Sequence, residues 1–158
     1  MIEIKEKRVI SKPIDEVWKV INNSFLEGHL WARGVVSCRK GNASEGNADR
    51  VSYTESGKLM DKITKLDHEN YRLQFVVLGL PFFVKSVLAT WELREVSSSQ
   101  TEITIGPKIE VMPVIGTVLQ IPMKMQLKKI YPRILEDFAI YVETGKASPA
   151  KQKELDKS

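Results

Sequence analysis

The sequence predicts an α+β domain with seven antiparallel strands, two short helices near its start and one long C-terminal helix. Three observations predict it. Residues 35 to 111 form a run of β-type segments separated by short polar or Gly/Pro turns, which is the signature of an antiparallel meander. From Val114 to Thr144 the period changes: Leu127, Ile130, Ile134, Phe138 and Tyr141 recur three and four residues apart, as on one buried helical face. The chain has 158 residues, 42% of them hydrophobic and 28% charged, which suits one domain with one sizeable core.

Residues 2 to 11 read as the first strand, stopped by Ser11-Lys12-Pro13 because proline cannot donate to a ladder. Pro13 suits the first position of a helix, and Asp15 and Glu16 favour its positive end. Ile14, Val17, Trp18 and Ile21 mark the buried face, and Asn22-Asn23 ends the helix. Ser24-Phe25-Leu26-Glu27 has capping-box form and predicts the start of a second short helix, with Gly34 at its exit. Strands follow at 35–40, 50–55, 58–66, 71–78, 84–96 and 101–111, divided by the loop 41–47 and by turns at Ser56-Gly57, 67–70, 79–81 and 97–100. Met112-Pro113 ends the sheet. A proline inside a helix removes a hydrogen bond, so Pro122 is expected near the true start of the long helix, with a bend before Pro132. Gly145 is its stop. Residues 146–158 are rich in lysine, poor in large apolar groups, and expected to be a flexible tail.

Composition narrows the function classes. Lys and Arg total 24 and Asp and Glu total 20, a formal charge of +4. Half of that excess lies on the tail, so residues 1–145 carry only +2 and nucleic acid is not an expected partner. Cys38 is the sole cysteine, which excludes an internal disulfide and a thiolate zinc site and makes a reduced, cytoplasmic setting the economical expectation. Acidic and basic residues interrupt the N-terminus, so it lacks a signal-peptide core. The longest apolar stretch, 75–84, is too short to span a membrane. His29 and His68 lack metal-ligand spacing, the Gly41–Gly46 segment lacks a phosphate-loop lysine, and no hydrolase triad stands out. No cofactor and no metal are expected.

Several segments, taken in order, resemble one family. Ser11-Lys12-Pro13-Ile14-Asp15-Glu16-Val17-Trp18 resembles an opening in which a proline precedes a helix containing Val-Trp. Gly46 with Arg50-Val51, then Leu59 to Asp67, then Tyr71-Arg72-Leu73-Gln74-Phe75 resemble its glycine-then-strand segment and the two strands after it. Across residues 2 to 145 the chain resembles the START-like superfamily, also called SRPBCC, and within it the polyketide cyclase/dehydrase-like group. The resemblance implies the helix-grip fold, in which a curved sheet wraps the long helix around a deep apolar cavity. It makes residues 1–145 a START-like ligand-binding domain.

Strand alternation assigns the inward residues. They are Leu59, Asp61 and Ile63; Leu73, Phe75 and Val77; Val87, Ala89, Trp91 and Leu93; Ile103 and Ile105; and Tyr53 with Val51 on the earlier strand. Met123, Leu127, Ile130 and Ile134 of the long helix would close the gap. Each apolar residue is ordinary core unless a void adjoins it. Asp61 shares parity with Leu59 and Ile63 and is either an inward carboxylate or, with a shifted register, a surface neighbour of Lys58 and Lys62. In the resembling family this position often faces the ligand. Around the expected mouth, Leu80, Phe82, Val114 and Ile115 form an apolar rim that either seals the interior or meets a lipid surface or another chain.

Three function classes follow. The first is a non-enzymatic carrier or sensor of a small hydrophobic molecule such as a lipid, isoprenoid or polyketide. The second is a cyclase/dehydrase-type enzyme in which Asp61 and Tyr53 move protons, discriminated by a second inward polar group beside Asp61. The third is a protein-interaction module using the rim, with a homodimer among the associations left open.

Overall fold

The structure is a computed structural model that describes residues 1–157. Strands β1 (Ile2–Glu3) and β2 (Glu6–Ile10) lead into helices α1 (Ile14–Asn23) and α2 (Gly28–Trp31). Then come β3 (Val35–Arg39), β4 (Arg50–Thr54), β5 (Gly57–Asp67), β6 (Arg72–Leu78), β7 (Val84–Ser97) and β8 (Gln100–Val111). Helix α3 (Ile115–Thr144) and a shorter helix α4 (Pro149–Asp156) follow. All pairings are antiparallel, in the order β1-β8-β7-β6-β5-β4-β3, with β2 also on β8.

The expected first strand is thus present as two pieces on one neighbour. Ile2 faces Ile109 and Glu6 faces Ile105, and the break falls opposite Gly106. A Cβ on Gly106 would lie 1.6 Å from the Ile4 carbonyl oxygen, so only glycine admits this approach of the two backbones.

Helix α1 buries Val17, Trp18 and Ile21, three of the four residues its periodicity picked out, and leaves Ile14 half-buried. The Trp18 indole N–H donates to His68 Nδ1 at 3.1 Å, so the turn histidine clips the helix to the β5–β6 turn. Ser24 does not open the second helix. Its hydroxyl donates to the Val20 carbonyl and terminates α1, and α2 begins four residues later at Gly28. Gly28 lies against Cys38, where a Cβ would meet the sulfur at 3.4 Å.

Two apolar clusters hold α3 on the sheet. The larger joins Trp18, Ile21, Trp31, Leu73, Phe75, Leu93, Ile103 and Ile105 to Leu135, Phe138 and Ala139 of its C-terminal half. Phe138 is edge-on to Trp31 and to Trp91, each at 5.2 Å between ring centres. Full burial of such a side chain contributes roughly 1.5–3 kcal/mol. The smaller cluster seats Met123 and Leu127 on Ile2, Ile4 and Ile109. Tyr131 packs against both clusters.

Helix α3 starts at Ile115, so Pro122 lies well inside it rather than near its start. The carbonyls that Pro122 and Pro132 leave without a helical donor belong to Val118 and Lys128. Both residues are exposed, and solvent can take the missing donor's place. The turn before the helix is tight: Val114 has φ 68° and ψ −78°, and the Ile115 N–H donates to the Pro113 carbonyl at 2.9 Å. This is a γ-turn of the rarer, strained hand.

The segment after Gly145, expected to be loosely held, carries α4 instead. Ser148 caps it, accepting from the Lys151 N–H at 3.2 Å and donating to Asp137 at 2.7 Å. Lys151 is fully buried and donates to the Val35 carbonyl on β3 and to Glu154, each at 2.9 Å. Glu154 in turn accepts from the Gly34 N–H at 2.8 Å. Composition alone missed this because the lysine is used as an internal donor, with its stem packed beneath it.

Candidate functional site

Strand pairing builds the site from its floor. Arg50 of β4 lies directly opposite Asp61 of β5, and Asp61 lies opposite Val77 of β6. One step along, Ile63 faces Phe75, and Phe75 faces Ala89; beyond them Leu73 faces Trp91, and Trp91 faces Ile105. These pairs share the concave face under α1, α2 and α3.

Asp61 is 5% exposed. Arg50 Nε and Nη2 each lie 2.8 Å from Asp61 Oδ2, and Nη1 donates to the Phe25 carbonyl at 3.2 Å. The guanidinium is stacked 4.1 Å from the centre of the Phe25 ring and 5.3 Å from that of Phe75. The interior charge is therefore paired, hydrogen-bonded and faced by two aromatic rings, which is what a buried ion needs. Burial pushes the Asp61 carboxyl above its usual range, and Arg50 pulls it part of the way back. Tyr131 of α3 is pushed up to about 12, first by burial and then by the charge of Asp61. Its hydroxyl makes no hydrogen bond among the described residues.

Arg50 borders a small inner cavity, which shares walls with a larger outer cleft. The inner one, about 20 Å³, is lined by Ile21, Ser24, Phe25, Trp31, Arg50, Leu73, Phe75, Trp91 and Phe138. Trp31 is 6% exposed, and its buried indole N–H has no hydrogen-bond acceptor among the described residues. The outer one, about 320 Å³, is an open cleft between the α1–α2 connection and β5–β6, lined by Ile21, Asn22, Asn23, Phe25, Leu26, Lys40, Asp49, Ile63, Leu66 and Leu73. Ile21, Phe25 and Leu73 are common walls. A bulge between Ile63 and Lys65 turns Leu66 toward this cleft, and the Ile63 N–H at that point donates to Asp49 at 2.7 Å.

The structure sorts the residues expected to line the interior. Phe75 and Trp91 line the inner cavity, and Ile63 lines the cleft. Ala89, Ile103 and Ile105 are packed core, as is Ile134 at its margin. Met123 and Leu127 belong to the smaller cluster. Val77 and Ile130 are half-buried and Leu59 is exposed. At the rim Phe82, Val114 and Ile115 are exposed, while Leu80 is half-buried.

Tyr53 is a correction. It is exposed, and its hydroxyl accepts from Arg39 at 2.8 Å on the opposite face of the sheet from Asp61. Its strand partner is Lys58, so parity sets it apart from Arg50 and Asp61. Arg39 and Lys58 also grip the buried Glu45 at 2.7 and 2.8 Å and hold that carboxyl well below the usual range. Tyr53 thus belongs to an outer charge cluster that fastens the 42–47 loop.

Arg50, Tyr131, Phe25, Trp31 and Phe138 are the site residues that sequence reasoning missed. One signal for Arg50 was present. A two-residue hairpin turn pairs odd with even positions, so an inward Asp61 requires Arg50, Ser52 and Thr54, not Val51 and Tyr53, to share its face.

The architecture is the helix-grip fold, and comparison with solved structures agrees. An uncharacterized protein from Bacillus thuringiensis superposes with a TM-score of 0.71 at 15% identity, covering 89% of this chain and 98% of its own. The Zhui aromatase/cyclase from a Streptomyces species superposes at 0.65 with 10% identity, covering 93% and 99%. A norcoclaurine synthase from Thalictrum flavum superposes at 0.63 with 12% identity, covering 85% and 94%. No family model matches the sequence. No curated protein sequence matches it either. These identities speak for the fold alone. Among the described residues no cluster of His, Cys, Asp and Glu could hold a metal ion, and no helix is long and apolar enough to cross a membrane.

Proposed function

We propose that the protein binds a small, mainly apolar molecule with an oxygen-bearing end, gripped between the concave face of the sheet and its covering helices. One observation carries the reading: the buried indole N–H of Trp31, without an acceptor, belongs to a residue lining an aromatic cavity. Buried donors are normally satisfied, so an unpaired one beside a void is a place for an acceptor atom. A volume of about 20 Å³ takes one such atom. The body of the molecule would pass Phe25 into the 320 Å³ cleft, whose floor is apolar and whose edge is Asn22, Asn23, Lys40 and Asp49. Lipid, isoprenoid and polyketide-like molecules all have this form.

The test has two parts. Native mass spectrometry of the protein as purified from cells is expected to show a co-purified hydrophobic molecule. In titrations, 2-naphthol is expected to bind more tightly than naphthalene, and Trp31→Phe to remove about fivefold of that preference, the worth of one neutral hydrogen bond. Equal binding of the two probes to wild type and variant would overturn the donor role of Trp31.

A second reading, ring closure or dehydration, is favoured by two titratable groups whose electrostatics are linked, the Asp61 carboxyl and the Tyr131 hydroxyl. It takes Tyr131 in the role expected of Tyr53. The aromatase/cyclase and the synthase among the structural neighbours are enzymes by name. Turnover of a poly-β-ketone thioester mimic that Asp61→Asn and Tyr131→Phe each abolish would support it; turnover unaffected by both would sink it.

A further inference from the structure

The first half of α3 is apolar on two opposite sides. Met123 and Leu127 face the sheet. On the outside, Val118, Ile121 and Met125 recur at helical spacing and are 73%, 71% and 59% exposed. The adjoining rim continues the stripe with Val114 at 77% and Phe82 at 76%. The sheet covers only the first of these sides, and an exposed apolar stripe of this length marks a contact surface.

Charge identifies what covers it. From Val111 to Leu135 the chain holds Lys124, Lys128, Lys129 and Arg133 and no Asp or Glu. Those 25 positions therefore carry +4, as much as the whole chain's formal net charge. None of the four makes an ion pair among the described residues. At 100° per residue the apolar stripe lies between Lys124 and Lys128 on one side and Lys129 and Arg133 on the other. The rim hairpin from Leu73 to Trp91 also lacks acidic residues and adds Lys85. An apolar stripe between rows of free cations matches the boundary of an anionic bilayer, where apolar side chains enter the acyl edge and lysines meet headgroups. A second copy of this face would instead bring like charges together.

We infer that the outer face of α3's first half, with the Phe82 and Val114 rim, docks on anionic lipid surfaces. The inference is independent of what the interior holds.

Vesicle co-sedimentation of the full chain tests it, comparing phosphatidylcholine vesicles with vesicles containing 30% phosphatidylglycerol. Binding is expected on the anionic vesicles and is expected to weaken steeply between 50 and 500 mM salt. Lys124→Gln, Lys128→Gln and Lys129→Gln together should reduce partitioning about 100-fold, at roughly fivefold per lysine. Val118→Ser with Ile121→Ser should reduce it at every salt concentration; both residues are exposed, so the fold is retained. No binding to either vesicle, or equal binding to both, would overturn the inference. So would a dimer in sedimentation velocity that Val118→Ser with Ile121→Ser dissociates, since the face would then cover a second copy.

Discussion

Arg50 and Asp61 face each other across the β4–β5 hairpin, 2.8 Å apart, on the face of the sheet that the helices cover. Their attraction offsets the cost of desolvating both, and neither is stable there alone. Arg50→Met is expected to cost about 3–5 kcal/mol by leaving a buried carboxylate unpaired. Arg50→Met with Asp61→Leu should recover most of that loss. Urea unfolding of the two variants decides it; a double variant as unstable as the single would mean that the pair also fixes the strand register.

Tyr131 gives a pH dependence with a definite sign. Its hydroxyl ionises near 10 in the unfolded chain and at about 12 in the fold. Between these values the unfolded chain has already released the proton that the folded one retains. Stability therefore falls as pH rises from about 10 to 12, by roughly 2–3 kcal/mol. Tyr131→Phe should make that part of the stability curve shallower, leaving the slope from Tyr71 and Tyr141, which are also shifted upward, and a profile below pH 9 parallel to wild type. Chemical unfolding at stepped alkaline pH measures it.

Gly106 sits where two backbones nearly touch. Gly106→Ala would set a Cβ 1.6 Å from the Ile4 oxygen, so β1 or β2 must leave β8. The expected loss exceeds about 4 kcal/mol, the range of special-backbone defects. Hydrogen exchange should show the loss of protection first at Ile4, whose N–H donates to Pro107 at 3.1 Å.

Lys151→Met should keep the packing of the lysine stem while leaving the Val35 carbonyl without its donor. A cost of about 1–3 kcal/mol is expected. Limited proteolysis should then cut within Pro149–Asp156, and an unchanged digestion pattern would show that the Ser148–Asp137 and Glu154–Gly34 contacts suffice to hold α4.

Much of this architecture was legible because its strands alternate cleanly. Through the middle of β6, β7 and β8 alternate residues are apolar, so parity alone put Phe75, Trp91 and Ile105 on one face. The long helix announced itself in the same way. Parity failed on β4, where Val51 and Tyr53 are the apolar positions and the inner face is Arg50 and Ser52, polar residues matched to Asp61 and Cys38. Tyr131 was hidden because a tyrosine among Ile130, Ile134 and Phe138 reads as packing. Trp31 was hidden because its missing acceptor exists only in three dimensions. Helix α4 was illegible for a related reason: its anchors are a lysine, a glutamate and a serine, whose value depends on distant backbone groups.

The contact between Lys151 and β3 also bears on the order in which the chain becomes safe from its own copies. β3 is an edge of the sheet, and an open edge is a template for pairing with another chain. The group that occupies the first carbonyl of that edge is 116 residues further along. During synthesis and refolding the strand must wait, formed or half-formed, until the C-terminal segment arrives. Crowded expression should therefore penalise weakening of α4 through association of incomplete chains, before any change in the finished protein is measurable.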